Sequence, residues 1–260
     1  MRTGDLWDED TARFYDGLAD TYHALYPDWR SQVAEQAAAL DRLIGASHRP
    51  ATCVADVACG IGTQLVGLAR LGYRTMGSDL SAKAVERARH ECRRAEVRSA
   101  LAVADMRRLP WPDASADAVV CADNAVPHLL RDEEVVDALR EMTRVLRPGG
   151  TVIVTTRDYD RVLPQRPGST PLQVFDSGGE RIVSYQLWHW RDHSDVYDLE
   201  HFQVRKTGPD EWTTQVRTAA YRAYTRHALA ALATRAGLSE PEWHAPADTG
   251  FFQPLMTAHT

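Results

Sequence analysis

Three aspartates, Asp56, Asp79 and Asp105, each close or follow a short apolar run: TCVAD, TMGSD and LAVAD. A carboxylate at such a place can accept hydrogen bonds from both hydroxyls of a ribose, or one from an adenine amino group. Between the first two lies the loop ACGIGTQ with Gly60 and Gly62. Two glycines let the backbone turn sharply and approach a ligand with no Cβ in the way. Asp79 follows Gly60 by 19 residues, close to the offset of about 20 at which a carboxylate meets a ribose. Asp105, with Met106 and Leu109 nearby, suits an adenine ring. Asp56 is placed to hold the glycine loop or to face a ligand's ammonium. Each aspartate alone also suits a turn or a helix cap. The three in register argue for a nucleoside site.

The elements that must position these groups alternate regularly. Strands are expected at 52–57, 73–78, 97–103, 117–122 and 151–156. Helices are expected at 63–71, from the Ser81 cap to about 95, and at 132–146, which stops at Arg147-Pro148-Gly149-Gly150. This repetition implies an α/β fold with a parallel sheet, helices on both faces and ligands at the C-terminal strand ends. Residues 9–30 are rich in aromatics, with Pro27 as a break, and 31–44 read as an amphipathic helix. This N-terminal segment is either a lid or a helical layer at the sheet edge. Residues 160–180 read as loop. The alternating runs 181–190, 196–206 and 211–225 read as antiparallel strands, with turns at 177–180, 192–195 and 206–211. A helix at 226–236 and a strand at about 250–258 follow. The expected division is a helical lid at 1–50, a cofactor core at 51–158, an antiparallel β insertion at 159–225 and a closing helix and strand at 226–260.

Composition narrows the partners. The chain has 260 residues and a formal net charge of -6, without a long basic block, so no nucleic acid is expected. No apolar run approaches the roughly 18 residues of a membrane span. The N-terminal stretch is acidic and lacks the apolar core of a signal peptide. The four cysteines form no CxxC pair, so no metal is expected and a reducing, cytoplasmic location fits.

The nucleotide itself is constrained. A dinucleotide loop wants a third glycine where this chain has Leu65, and no phosphate-loop lysine is present. Clustered carboxylates would repel a pyrophosphate. A ligand with ribose and adenine, no phosphate and a positive charge fits better, and S-adenosylmethionine is such a ligand. The same points argue against a nicotinamide dehydrogenase.

Taken together, VADVACGIGTQ, GSDLS, ADMRRLP and LRPGG resemble the successive motifs of class I S-adenosylmethionine-dependent methyltransferases, over about residues 10–160 and the final strand. VVCADNAVPHLL followed by TVIVTTRDYD is similar to the glycine/sarcosine N-methyltransferase group and related small-molecule enzymes. The resemblance implies a Rossmann-like, doubly wound seven-stranded sheet with an antiparallel insertion. It implies S-adenosylmethionine as cofactor and a small-molecule acceptor, with a homodimer left open. It places Ala58, Gly60, Gly62, Ala122 and His128 near the methionine part, Asp79 at the ribose, and Leu80, Asp105 and Met106 around the adenine. Asn124 and Arg157 match acceptor-contacting positions, where the arginine grips a carboxylate.

The N-terminal aromatics depart from that group. Tyr15 and Trp29 are expected against the cofactor, and Tyr22 at the acceptor, as a binding or catalytic group. Tyr185 is expected at the acceptor too. His189, His193 and His201 are candidates for a general base; the alternative is a strand on which Trp188 and Trp190 face the core and His189 the solvent. The expected reaction is methyl transfer to nitrogen or carbon of an amino-acid-derived or aromatic, indole-type metabolite. Glycine/sarcosine N-methylation is the alternative, and a non-catalytic cofactor binder a more distant one. A nucleic-acid amino-methyltransferase would carry Asn/Asp-Pro-Pro-Tyr/Phe where this chain has DNAVPH.

Overall fold

The apolar run before the glycine loop forms β1 (Cys53–Asp56), buried at all four positions because it sits mid-sheet. A computed structural model of the chain describes residues 3–46, 51–177 and 180–260. Two helices precede β1: α1 (Thr3–Leu18) and α2 (Trp29–Gly45), separated by a 3-10 turn at Tyr22–Leu25. After β1 come α3 (Thr63–Arg70), β2 (Arg74–Asp79), α4 (Ala82–Arg94), β3 (Ser99–Val103), β4 (Ala116–Cys121), α5 (Asp132–Val145) and β5 (Leu146–Thr155). The insertion holds α6 (Tyr159–Gln165), β6 (Gln173–Ser177), β7 (Glu180–Trp190), β8 (Val196–Lys206) and β9 (Trp212–Arg222). The chain closes with α7 (Arg226–Arg235), β10 (Ser239–His244), α8 (Pro246–Thr249) and β11 (Leu255–His259).

Seven strands pair in the order β10-β11-β5-β4-β1-β2-β3. The five from β3 to β5 are parallel, and β11 runs antiparallel to both β5 and β10. This is the Rossmann-like class I architecture. Alternate residues of the central strands bury on opposite faces. Val119 and Cys121 of β4 join α5 and α7 through Leu139 and Leu229, while Val120 joins Leu40 of α2 and Leu68 of α3. A second sheet, ordered β6-β7-β8-β9, is wholly antiparallel. Its inner face packs Trp188, Leu199 and Tyr221 against Phe14 and Leu18 of α1. Among the described residues, no helix is long and apolar enough to cross a membrane.

Three expectations are corrected. The stretch 160–180 is not all loop: it contains α6, and β6 pairs with β7 in register from Gln173↔Ser184. The final strand begins at Leu255, so 250–254 is connecting chain. Its partner β10 was not foreseen, because SEPEWH carries a proline and two glutamates; an edge strand tolerates both. The 206–211 and 192–195 turns stand between their strands. The 177–180 turn falls largely outside the described residues.

α2 and α3 approach at Gly67, where a Cβ would overlap the Val33 carbonyl oxygen and lie 2.5 Å from Ala37 Cβ. Backbone on one side leaves nothing flexible to give way. Gly67→Ala is therefore expected to destabilise the fold by about 1–3 kcal/mol, despite alanine's better helix propensity. Urea unfolding with an unchanged m-value measures it.

Candidate functional site

The β1–α3 loop turns through Gly60 (φ 51°) and Gly62 (φ 94°), both in the left-handed region. It is tied to the next strand end by Asp79. One Asp79 oxygen accepts from the Gly60 amide at 2.8 Å and the other from the Ser81 amide at 2.9 Å. Each oxygen keeps a further lone pair for a ligand hydroxyl. Burial pushes the Asp79 carboxyl up, with its two backbone donors opposing. A cavity opens here, at the C-terminal ends of β1, β2 and β4. A Cβ on Gly60, which lines it, would meet no protein atom within 4 Å.

Ten of the sequence-predicted residues line this cavity. Ala58, Gly60, Asp79 and Leu80 come from the first two strand ends, and Asp105 and Met106 from the third. Ala122 and His128 follow β4, and Tyr15 and Tyr22 descend from the N-terminal segment. Asp105 is not free: Arg107 grips its carboxylate through Nε at 2.9 Å and Nη2 at 2.5 Å, and reaches Glu134 at 3.2 Å. The Tyr15 hydroxyl meets His128 Nε2 at 2.8 Å. Burial, with the Arg157 charge adding, holds His128 down at about 3, so it is neutral.

Three residues expected at the cofactor lie just outside the lining. Gly62 caps α3 and packs against Val66 and Ala88, a role in helix packing. Trp29 donates from Nε1 to Thr63 Oγ1 at 3.0 Å and braces the start of α3 from outside. Asp56 is buried beneath the loop; one oxygen accepts weakly from the Ala58 amide at 3.4 Å and the other has no partner among the described residues. Burial raises its carboxyl to about 7.

A second cavity adjoins the first and shares Tyr15, Tyr22 and Asp123 with it. Its walls are aromatic: Phe14, Tyr26, Tyr221 and Phe252. Arg157 enters from the end of β5. Its guanidinium donates to Gln186 Oε1 at 2.9 Å and Tyr197 Oη at 3.2 Å and lies 4.8 Å from the Trp188 ring centroid. Among the described residues it has no carboxylate partner. Asn124 accepts from the Arg157 amide at 3.0 Å, and its buried Nδ2 has no partner among the described residues.

The histidines separate by strand parity. His201 faces this second cavity beside Gln186; Ser184 Oγ meets its Nε2 at 2.8 Å, and its Nδ1 has no partner among the described residues. Burial, helped by Arg217 and Arg157, lowers it to about 4, which makes it a poor base. His189 points to the opposite face, exposed and 3.2 Å from Glu200. His193 sits in the β7–β8 turn at φ 51°. Neither lines the two joined cavities; His189 lines a third, which shares Thr11 and His128 with the first. Tyr185 also lies outside both linings: it stacks on Phe202 at 4.8 Å on the outer face, opposite in parity to Gln186.

Sequence reading missed Asp123. It stands one residue beyond Ala122, and Asp123 and Asn124 both adopt left-handed backbone, φ 58° and 65°. An Asp-Asn pair after a strand is the signal that was there, since these residues tolerate that region best. Gln186 and Tyr221, from the insertion, carried no such signal.

The donor set suits a cationic adenosyl ligand. Carboxylates of Asp79, Asp105 and Asp123 line the first cavity, its one arginine is spent on Asp105, and an orphaned Asp56 oxygen lies beneath. Residues 54–150 match a family model described as a methyltransferase domain. The chain is 30% identical over 137 residues to a glycine/sarcosine N-methyltransferase of Parasynechococcus marenigrum (strain WH8102), covering 52% of this chain and 48% of that one. It thus spans about half the length of that curated relative. Its fold matches Streptomyces venezuelae DesVI with a TM-score of 0.74 at 22% identity, covering 96% of this chain and 98% of that one. It also matches SAM-bound CalS10, an amino pentose methyltransferase from Micromonospora echinaspora, with a TM-score of 0.73 at 22% identity, covering 92% and 94%.

Two outcomes follow from the strand-end carboxylates. Removing a charged hydrogen-bond acceptor costs about 1.5–3 kcal/mol, so Asp79→Ala is expected to weaken S-adenosylmethionine binding about 10- to 100-fold by calorimetry. Unchanged affinity would rule out the ribose assignment. The Asp56 carboxyl titrates above its ordinary 3.8 when folded. The stability it lends is complete below about pH 4 and is lost as pH rises through about 7. Asp56→Asn is expected to flatten the dependence of unfolding midpoint on pH across that window.

Proposed function

We propose that this chain, whose residues 54–150 match a methyltransferase-domain model, transfers a methyl group from S-adenosylmethionine to a small aromatic metabolite that carries a carboxylate. The observation that carries the reading is the second cavity: it joins the first at Tyr15, Tyr22 and Asp123 and holds Arg157 without a carboxylate partner among the described residues. A buried guanidinium with a planar fork invites a bidentate anion. The aromatic walls favour an amino-acid-derived aromatic or indole acceptor over the glycine-type alternative.

When bound, S-adenosylmethionine supplies a methyl group on a positively charged sulfur. The protein's part is to bind, orient and exclude water. In this reading Asp79 accepts from the ribose hydroxyls, and Leu80, Asp105 and Met106 frame the adenine. Ala58, Gly60, Ala122 and His128 border the methionine part. The N-terminal segment through residue 50 acts as a lid over the core at 51–158. It is pinned by Asp16, whose carboxylate accepts from Ser81 Oγ at 2.5 Å and from the Lys83 amide at 3.1 Å. The insertion at 159–225 shapes the acceptor cavity, and 226–260 completes the sheet. Four free, buried cysteines suit a reducing, cytoplasmic setting.

Transfer of labelled methyl to a panel of glycine, sarcosine, tryptophan and indole-containing cyclic dipeptides tests the reading. Label on tryptophan supports it. Label on glycine alone, or cofactor binding without turnover on any carboxylate acceptor, overturns it. Arg157→Ala is expected to raise the acceptor KM at least tenfold while leaving cofactor affinity within threefold. An unchanged KM would make Arg157 structural.

A further inference from the structure

At the seam between the two cavities a carboxylate is held ready. Asp123 borders both. Its Oδ2 accepts from the hydroxyls of Tyr22 and, at 2.8 Å, Tyr26. Its Oδ1 has Gln253 Nε2 only at 3.5 Å, the outer limit of a hydrogen bond. The loop is fastened beneath it. The Asp123 amide donates to Thr155 Oγ1 at 2.8 Å, and the Asn124 amide donates to the Thr155 carbonyl at 3.2 Å. Two successive left-handed non-glycine residues cost stability, so the loop is paid for by these bonds and places the carboxylate in one position. Among the described residues no arginine or lysine pairs with Asp123. Arg157 stands in the second cavity, turned toward Gln186 and Tyr197.

The two cavities therefore meet at a negative group, with a positive one deeper in the second. We propose that Asp123, oriented by Tyr22 and Tyr26, recognises an amino group on the acceptor, and so directs methylation to nitrogen. The acceptor is then an amino acid or its close derivative, with amine at Asp123 and carboxylate at Arg157. This rests on the reading that the second cavity receives the acceptor. The amine sheds one proton to solvent before reaction and donates one of its two remaining N–H groups to Oδ1, which turns its lone pair away from the carboxylate. Methylation of a neutral amine leaves a positive charge on nitrogen, and the same carboxylate offsets that charge where it develops. A hydroxyl or an indole carbon makes less use of it: an alcohol offers one donor, and an indole carbon none.

The test uses matched pairs on one carbon skeleton, tryptophan against indole-3-lactate and phenylalanine against phenyllactate. Each is titrated calorimetrically into the full chain saturated with S-adenosylhomocysteine. The amino acid is expected to bind at least tenfold tighter than its hydroxy acid. Asp123→Asn keeps the shape and tolerates the left-handed backbone; it is expected to bring the pair within threefold of each other. Tyr22→Phe is expected to lower the preference three- to tenfold. Hydroxy acids bound as well as amino acids overturn the proposal and leave Arg157 as the acceptor's anchor. A preference that survives Asp123→Asn overturns the proposal as well. Neither member of any pair binding overturns this proposal together with the acceptor reading.

Discussion

One carboxylate holds the site in shape. Asp79 receives the Gly60 amide from the β1–α3 loop and the Ser81 amide from the start of α4. Without it, a buried loop amide would lose its partner and the loop its fixed distance from β2. Ser81 extends the tie: its hydroxyl caps α4 at the Ala84 amide, 3.0 Å away, and reaches Asp16 of α1. The floor of the first cavity and the helix that roofs it are thus joined by a short chain of hydrogen bonds. A change in the floor has a direct route to the roof.

Charge is divided between the two cavities. The first gathers Asp79, Asp105 and Asp123 over a buried Asp56, and its arginine is already committed to Asp105 and Glu134. The second holds Arg157 among aromatic rings. Burying like charges together raises carboxyl pKa values, and Asp56 and Asp79 are both raised, mainly by burial. Such a site is better satisfied by a cation than by water. His128 and His201 are driven the other way, and stay neutral hydrogen-bonding groups.

Much of the first cavity was legible in the chain. A glycine turn after a strand and an aspartate 19 residues later are local signals, because strand, turn and next strand end are close in sequence. The parallel core followed for the same reason. The second cavity was less legible. Asn124 and Arg157 were reached through a resemblance, and Asp123 beside them was passed over, although its Asp-Asn turn was in view. Gln186, His201 and Tyr221 come from three insertion strands, and Phe14 from a helix at the other end of the chain, 172 residues before Gln186. No local pattern joins such distant residues. β10 was missed because an edge strand needs no apolar signature.

The sequence by itself determined the alternation of strands and helices, the glycine turn and the row of strand-end carboxylates, because each depends on residues near one another. It also determined that residues of β7 alternate between two faces. Only the tertiary structure decided which face meets the ligand. Packing of Phe14 and Leu18 against Trp188 and Leu199 turns Gln186 inward, and leaves Tyr185 and His189 outside. A period of two has no preferred sign until another element covers one side, and here that element is a helix from the far end of the chain.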